Sequence, residues 1–174
     1  MLKPDIAEKI NQQINREFFS AYLYMDMSAK AENAGFRGMS AWFMAKYREE
    51  NEHAMKMYRY LLDHGTPVVL DAISNPSVEY HGPLNLFEQT LQHEQQVTVS
   101  IHELVDAVMT DRDHATYIFL QWFVTEQTEE EATVSDIIAQ LKLVGERGEG
   151  LYMIDKELAG LATSMNQANL AGTP

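Results

Sequence analysis

The sequence predicts an all-α chain: a four-helix bundle with one long crossover between the second and third helices and a short fifth helix at the C-terminus. Three observations predict it. Four long stretches repeat apolar residues at the period of an α-helix. Glycines, prolines and short polar residues fall at the joins between those stretches. The segment from Pro67 to Gly82 has no clear period and far exceeds the usual handful of connecting residues, so it can run the length of a helix.

The first helix opens at Pro4 and Asp5, with apolar or small residues at Ile10, Ile14, Ala21 and Ser28 and with Glu17 and Tyr24 inside the same stripe. It is expected to reach Glu32, where Gly35-Phe36-Arg37-Gly38 breaks it. A second stripe reads Phe43, Tyr47, Ala54, Met57 and Leu61, with Glu50 in register and His53 beside it, and Gly65-Thr66-Pro67 ends it. After the crossover, Pro83 suits a first helical position, and the third stripe reads Leu84, Phe87, Leu91, Glu94, Thr98, Ile101, Val105 and Val108. Thr110 to Asp113 supply turn and capping residues. The fourth stripe, Leu120, Phe123, Gln127, Glu130, Val134, Ile137 and Leu141, ends at Gly145. A short fifth helix starts near Glu149 with Leu151, Ile154, Leu158 and Leu161 on one side, and the polar tail 164–174 is expected to be disordered. The long stripes all lie upstream of Glu149, so the four-helix part is expected to fold without the fifth helix.

Composition narrows the chemistry. With 174 residues, 45% hydrophobic and 22% charged, residues 1–174 are expected to form a single soluble domain. No apolar run approaches the ~18 residues of a membrane span, and the N-terminus resembles no secretory signal, so a cytoplasmic location is expected. Zero cysteines exclude disulfides, thiolate zinc sites, iron–sulfur clusters and a cysteine nucleophile. Any transition metal must then be held by carboxylate and imidazole, which favours iron or manganese over zinc. A net charge of −13 argues against nucleic acid or an anionic membrane and suits a cation partner.

Each long stripe is interrupted near its middle by metal-capable residues: Glu17, then Glu50 with His53, then Glu94, then Gln127 with Glu130. A Glu and a His at i and i+3 share one side of a helix, so Glu50 and His53 can hold one ion between them. Glu17 to Glu94, Glu50 to Gln127 and His53 to Glu130 are each separated by 77 positions, the mark of a duplicated helical hairpin. Folding the hairpins brings the interruptions to similar heights, where buried carboxylates without a counter-charge are very costly and a metal ion satisfies several at once.

These motifs, over nearly the whole chain, resemble a bacterial non-haem ferritin of the ferritin-like di-iron family, whose carboxylate bundle with one long crossover is a familiar architecture. The resemblance implies an iron-storage ferroxidase that oxidises Fe(II) with dioxygen, or with hydrogen peroxide, at a dinuclear centre. It assigns Glu17, Glu50 and His53 to one iron and Glu50, Glu94 and Glu130 to the second, with Glu50 bridging and Gln127 as a weak ligand or hydrogen-bond partner. It further implies a third iron held by Glu49, Glu126, Glu129 and Glu130, and a role for Tyr24 as donor of an electron or a hydrogen bond near the irons. It also implies a homo-oligomeric 24-subunit cage, with the fifth helix near the four-fold axes.

The second hairpin departs from symmetry, with Gln127-x-x-Glu130 where a second Glu-x-x-His would stand, so the second iron lacks an imidazole and a second bridge. Asn51 occupies the place where bacterioferritins carry a haem-ligating Met, so no haem is expected. His93 adjoins Glu94 and is expected to point about 100° away from it, and His64, His81, His102 and His114 read as surface or turn residues. Two alternatives stay open: a di-iron oxidase that consumes peroxide, and a non-catalytic metal-binding bundle.

Overall fold

The computed structural model describes residues 2–145 and 148–171, which form five helices: α1 (Pro4–Asn33), α2 (Arg37–Asp63), α3 (Pro83–Thr110), α4 (His114–Val144) and α5 (Glu149–Ala171). There is no strand among the described residues. The bundle and its crossover agree with the sequence reading.

Each join has a local cause. After α1, Gly35 adopts φ +91°, and the Phe36 N–H reaches back to the Ala31 carbonyl at 2.9 Å. After α2, Gly65 adopts φ +65°, and the Thr66 N–H reaches Leu61 at 2.9 Å. Both are left-handed helix ends that satisfy carbonyls the helix leaves unpaired. At the N-terminus of α4, Asp113 accepts from the Thr116 N–H at 3.1 Å and from its hydroxyl at 2.6 Å, the cap expected of an Asp before a helix.

The crossover is fixed to α1 by two asparagines. Asn11 exchanges two hydrogen bonds with the Val69 backbone, at 2.7 and 2.8 Å, and Asn15 bonds the Val69 carbonyl at 3.0 Å and the Asp71 N–H at 2.9 Å. Farther along, the side chain of Val78 enters the core.

Apolar residues form two clusters. One gathers Ile6, Ile10 and Ile14 of α1 with Met57, Leu61, Ile101, Val108, Leu120 and Phe123. The other gathers Met27, Trp42, Phe43, Phe87, Val134, Ile137 and Leu141 with residues of α5. Between them along each helix lies a buried polar layer: Gln13, Glu17 and Ser20, then Lys46, Glu50 and His53, then Glu94, then Gln127 and Glu130.

Two expectations are corrected. The fifth helix is not short, since α5 continues past Ser164 through the segment expected to be disordered, as far as Ala171; residues 172–174 lie outside the described residues. Its buried face is Leu151, Ile154, Leu158 and Ala162, while Leu161 is 41% exposed. The α3 stripe is also rotated: Leu86, Phe87, Thr90, Glu94, Val97, Ile101, Leu104 and Val108 are buried, whereas Leu84, Leu91, Thr98 and Val105 are half-buried. A helix packed on two neighbours buries a broad arc, and a reading keyed to every seventh residue traces one edge of it.

α5 is tied to the bundle by Asp155, whose carboxylate accepts from the Gly38 N–H at 3.1 Å and the Met39 N–H at 2.9 Å. It thus serves the N-terminus of α2, which has no side-chain cap of its own. The approach requires glycine, because a Cβ on Gly38 would stand 1.6 Å from the Asp155 carbonyl oxygen. No helix among the described residues is long and apolar enough to cross a membrane.

Candidate metal centre

Glu17, Glu50 and His53 each offer a ligand atom within 4.8 Å of the others, and all three are buried. One Glu17 oxygen accepts from Gln13 Nε2 at 2.8 Å, and Gln13 is itself held by the Ser100 hydroxyl at 2.8 Å. The other, Oε2, is buried without any hydrogen-bond partner. A carboxylate oxygen left bare inside a protein is costly, and its position beside Glu50 and His53 is one that a cation would fill.

The charges are strongly coupled. Burial, then the neighbouring Glu50, raises the Glu17 carboxyl well above the usual carboxylate range. Glu50 behaves oppositely: burial works against its ionisation, but His53 and Lys46 outweigh this and hold it at about 2. Burial likewise works against the His53 imidazolium, but Glu50 and Glu17 raise it to about 9. Glu50 Oε2 lies 3.4 Å from His53 Nδ1, while Oε1 faces Lys46 Nζ at 3.8 Å. Its two oxygens therefore serve opposite sides, which suits a bridge.

The remaining expected ligands are buried nearby but bound to partners of their own. Glu94 accepts from the Tyr24 hydroxyl and from Gln127 Nε2, the latter at 3.1 Å. Gln127 Nε2 also donates to the Glu94 carbonyl at 3.2 Å, so it acts as a hydrogen-bond partner of the glutamate. Tyr24 is fully buried, and desolvation, then the Glu94 charge, raises its phenol well above the usual range. Glu130 makes a close ion pair with Lys46 and is pushed up to about 8 by burial, Lys46 opposing. Glu50, Glu94 and Glu130 do not converge as the first set does.

The four acids read as a third site, Glu49, Glu126, Glu129 and Glu130, line one cavity of about 250 Å³ together with Trp42, Lys46 and residues of α5. Glu49 and Glu126 do meet within 4.8 Å, but with His53 as their third member. Burial raises the Glu126 carboxyl.

Two residues escaped the sequence reading, and a third was expected to point away from the site. Lys46 is 1% exposed, one helical turn before Glu50, a spacing that could have revealed it. Trp122 places its ring edge-on 5.3 Å from His53 and carries the Lys56 ammonium over its face at 4.2 Å. His93 bonds the Ser20 hydroxyl at 2.8 Å and lies 6.0 Å from the ring of Tyr24, the partner of Glu94, so it is a neighbour of the site. Burial lowers its imidazolium pKa.

The chain is similar to known proteins over most of its length. The ferritin-like domain family matches residues 7–144. The chain is 44% identical over 163 residues to a bacterial non-heme ferritin of Escherichia coli O157:H7, covering 94% of this chain and 99% of that one. It is 38% identical to a bacterial non-heme ferritin of Campylobacter jejuni, covering 94% of this chain and 98% of that one. Among solved structures, an open pore ferritin from the archaeon Archaeoglobus fulgidus superposes with a TM-score of 0.90 at 43% identity, over 91% of this chain and 98% of that one.

Proposed function

Because this chain belongs to the ferritin family, we propose that it is a cytoplasmic iron-storage ferroxidase, in which two Fe(II) ions are oxidised by dioxygen and the Fe(III) is stored as mineral. The observation that carries the reading is the convergence of Glu17, Glu50 and His53 around a buried carboxylate oxygen that has no other partner. An imidazole with two carboxylates is a donor set that suits iron.

The first Fe(II) takes Glu17, His53 and one oxygen of Glu50. The second takes the other Glu50 oxygen with Glu94 and Glu130, once Glu130 turns from Lys46. Each iron gives one electron, so the pair reduces one dioxygen, with two protons, to hydrogen peroxide. Tyr24 steadies Glu94 through its hydroxyl, and Gln127 holds the other oxygen of the same carboxylate. With no imidazole at the second position, its ferric product would be bound less firmly and would move on through a third site at Glu49, Glu126, Glu129 and Glu130 that is filled only during turnover.

We propose further that 24 copies form the storage shell. Large apolar side chains stand out on the crossover, with Val69 and Leu70 each 60% and Ile73 49% exposed, and such a patch needs a cover.

Anaerobic addition of Fe(II), followed in separate runs by dioxygen and by hydrogen peroxide, tests the activity. Rapid oxidation of two irons per chain by dioxygen is expected. Oxidation by peroxide alone would mark a peroxide-consuming oxidase, and metal retained without oxidation a passive binder. Sedimentation reads the assembly.

A further inference from the structure

A second cation is already built into the centre. Lys46 is almost fully buried, and three carboxylates meet its ammonium: Glu49 at 2.8 Å, Glu50 at 3.8 Å and Glu130 in close contact. A buried lysine is costly unless its charge is compensated, and here the compensation comes wholly from residues to which iron has been assigned. Glu50 and Glu130 belong to the second iron, Glu49 and Glu130 to the third. The ammonium therefore stands where those two ligand sets overlap.

We propose that Lys46 is a tethered, displaceable cation that holds the place between the second iron and the third, so that a metal ion and the ammonium exclude one another at Glu130. The inference rests on the di-iron reading. Its geometry leaves room for exchange. Lys46 lines the 250 Å³ cavity that also holds Glu126 and Glu129, so its flexible stem can swing the ammonium from Glu130 toward those acids. A dication arriving at Glu130 repels the ammonium, and the returning ammonium weakens the hold on that dication. Lys46 thereby limits how many ions the resting centre keeps.

Zinc(II), which does not change oxidation state, is the probe. Calorimetric titration of the whole metal-free protein is compared with Lys46→Met, which keeps the length and loses the charge, with Lys46→Gln as a second neutral variant, and with Lys46→Arg. Wild type and Lys46→Arg are expected to take two ions per chain. The neutral variants are expected to take a third, and to bind the second on the order of tenfold more tightly, since a unit charge within a few ångströms has gone. In wild-type crystals soaked with zinc(II), anomalous maps are expected to show Lys46 Nζ withdrawn from Glu130 wherever zinc occupies it.

An unchanged count and affinity in the neutral variants overturns the proposal, as does zinc on Glu130 with the ammonium still paired to it. The crystal measurement needs no variant to fold. If zinc binds neither protein at Glu17, Glu50 and His53, the di-iron reading itself fails. If it binds there and the Lys46 variants behave as wild type, only the inference about Lys46 does.

Discussion

Glu17 keeps one oxygen unpartnered in the interior, while Glu50 and His53 pair at 3.4 Å beside it. Removing a ligand here relieves an electrostatic burden as well as breaking the centre. We expect Glu17→Ala to abolish rapid oxidation while leaving the metal-free fold intact, since the bare buried oxygen it removes is itself costly. Stopped-flow oxidation and thermal unfolding read the two effects, and wild-type kinetics in this variant would remove Glu17 from the centre. The pH dependence has a definite sign. His53 at about 9 is raised, so it holds a proton at neutral pH, and the stability it lends the metal-free protein is lost as pH rises through that value. Glu50, held at about 2, lends stability that is lost only as pH falls toward 2. Metal binding at pH 7 must displace the proton on His53, so zinc(II) titrations in buffers of different ionisation enthalpy should show net proton release that shrinks above pH 9. At this scale the Glu-x-x-His spacing made Glu50 and His53 legible. Lys46 was not, because lysine is a surface residue by habit and only its three-carboxylate setting makes its burial tolerable.

The four long helices were legible to within a few residues at their ends, because Gly35, Gly65, Pro83 and Asp113 each force a local conformation. What the sequence concealed is contact between distant segments. Nothing near residue 38 announces that α5 will supply its cap, since Asp155 lies far along the chain, and the length of α5 was hidden by its polar last turns. The resulting joint yields two measurable expectations. Asp155→Ala should cost about 1–2 kcal/mol, the worth of a helix cap, and should raise amide exchange in the first turn of α2. Gly38→Ala should cost more, because its Cβ would collide with backbone rather than a movable side chain. Denaturant unfolding of the two variants ranks them, and the reverse order would mean that α5 shifts easily on α2.

At the scale of the molecule, α5 belongs to the core rather than to its margin. Leu151, Ile154 and Leu158 lie in the same cluster as Trp42, and burying each such side chain stabilises by about 1.5–3 kcal/mol. A chain ending at Val144 is therefore expected to be aggregation-prone and markedly less stable, against the expectation from the stripes alone; circular dichroism melting and sedimentation of the truncated chain decide, and an unchanged melting curve would show α5 to be dispensable. The polar layer between two apolar clusters was visible as interruptions in four stripes, yet its internal pairing was not, since partners such as Lys46 and Glu130 are joined only by folding.

The 77-position echo places the three converging ligands, Glu17, Glu50 and His53, entirely in the first hairpin, and Glu94 and Glu130 in the second. On a ribosome that division becomes an order in time. The growing chain carries Glu17, Glu50 and His53 long before residue 94 is made, but Glu94 and Glu130 join them only after α3 and α4 have emerged and docked. Under the proposed function, iron met early would be held singly, and the two-iron oxidation would wait until the chain is almost finished.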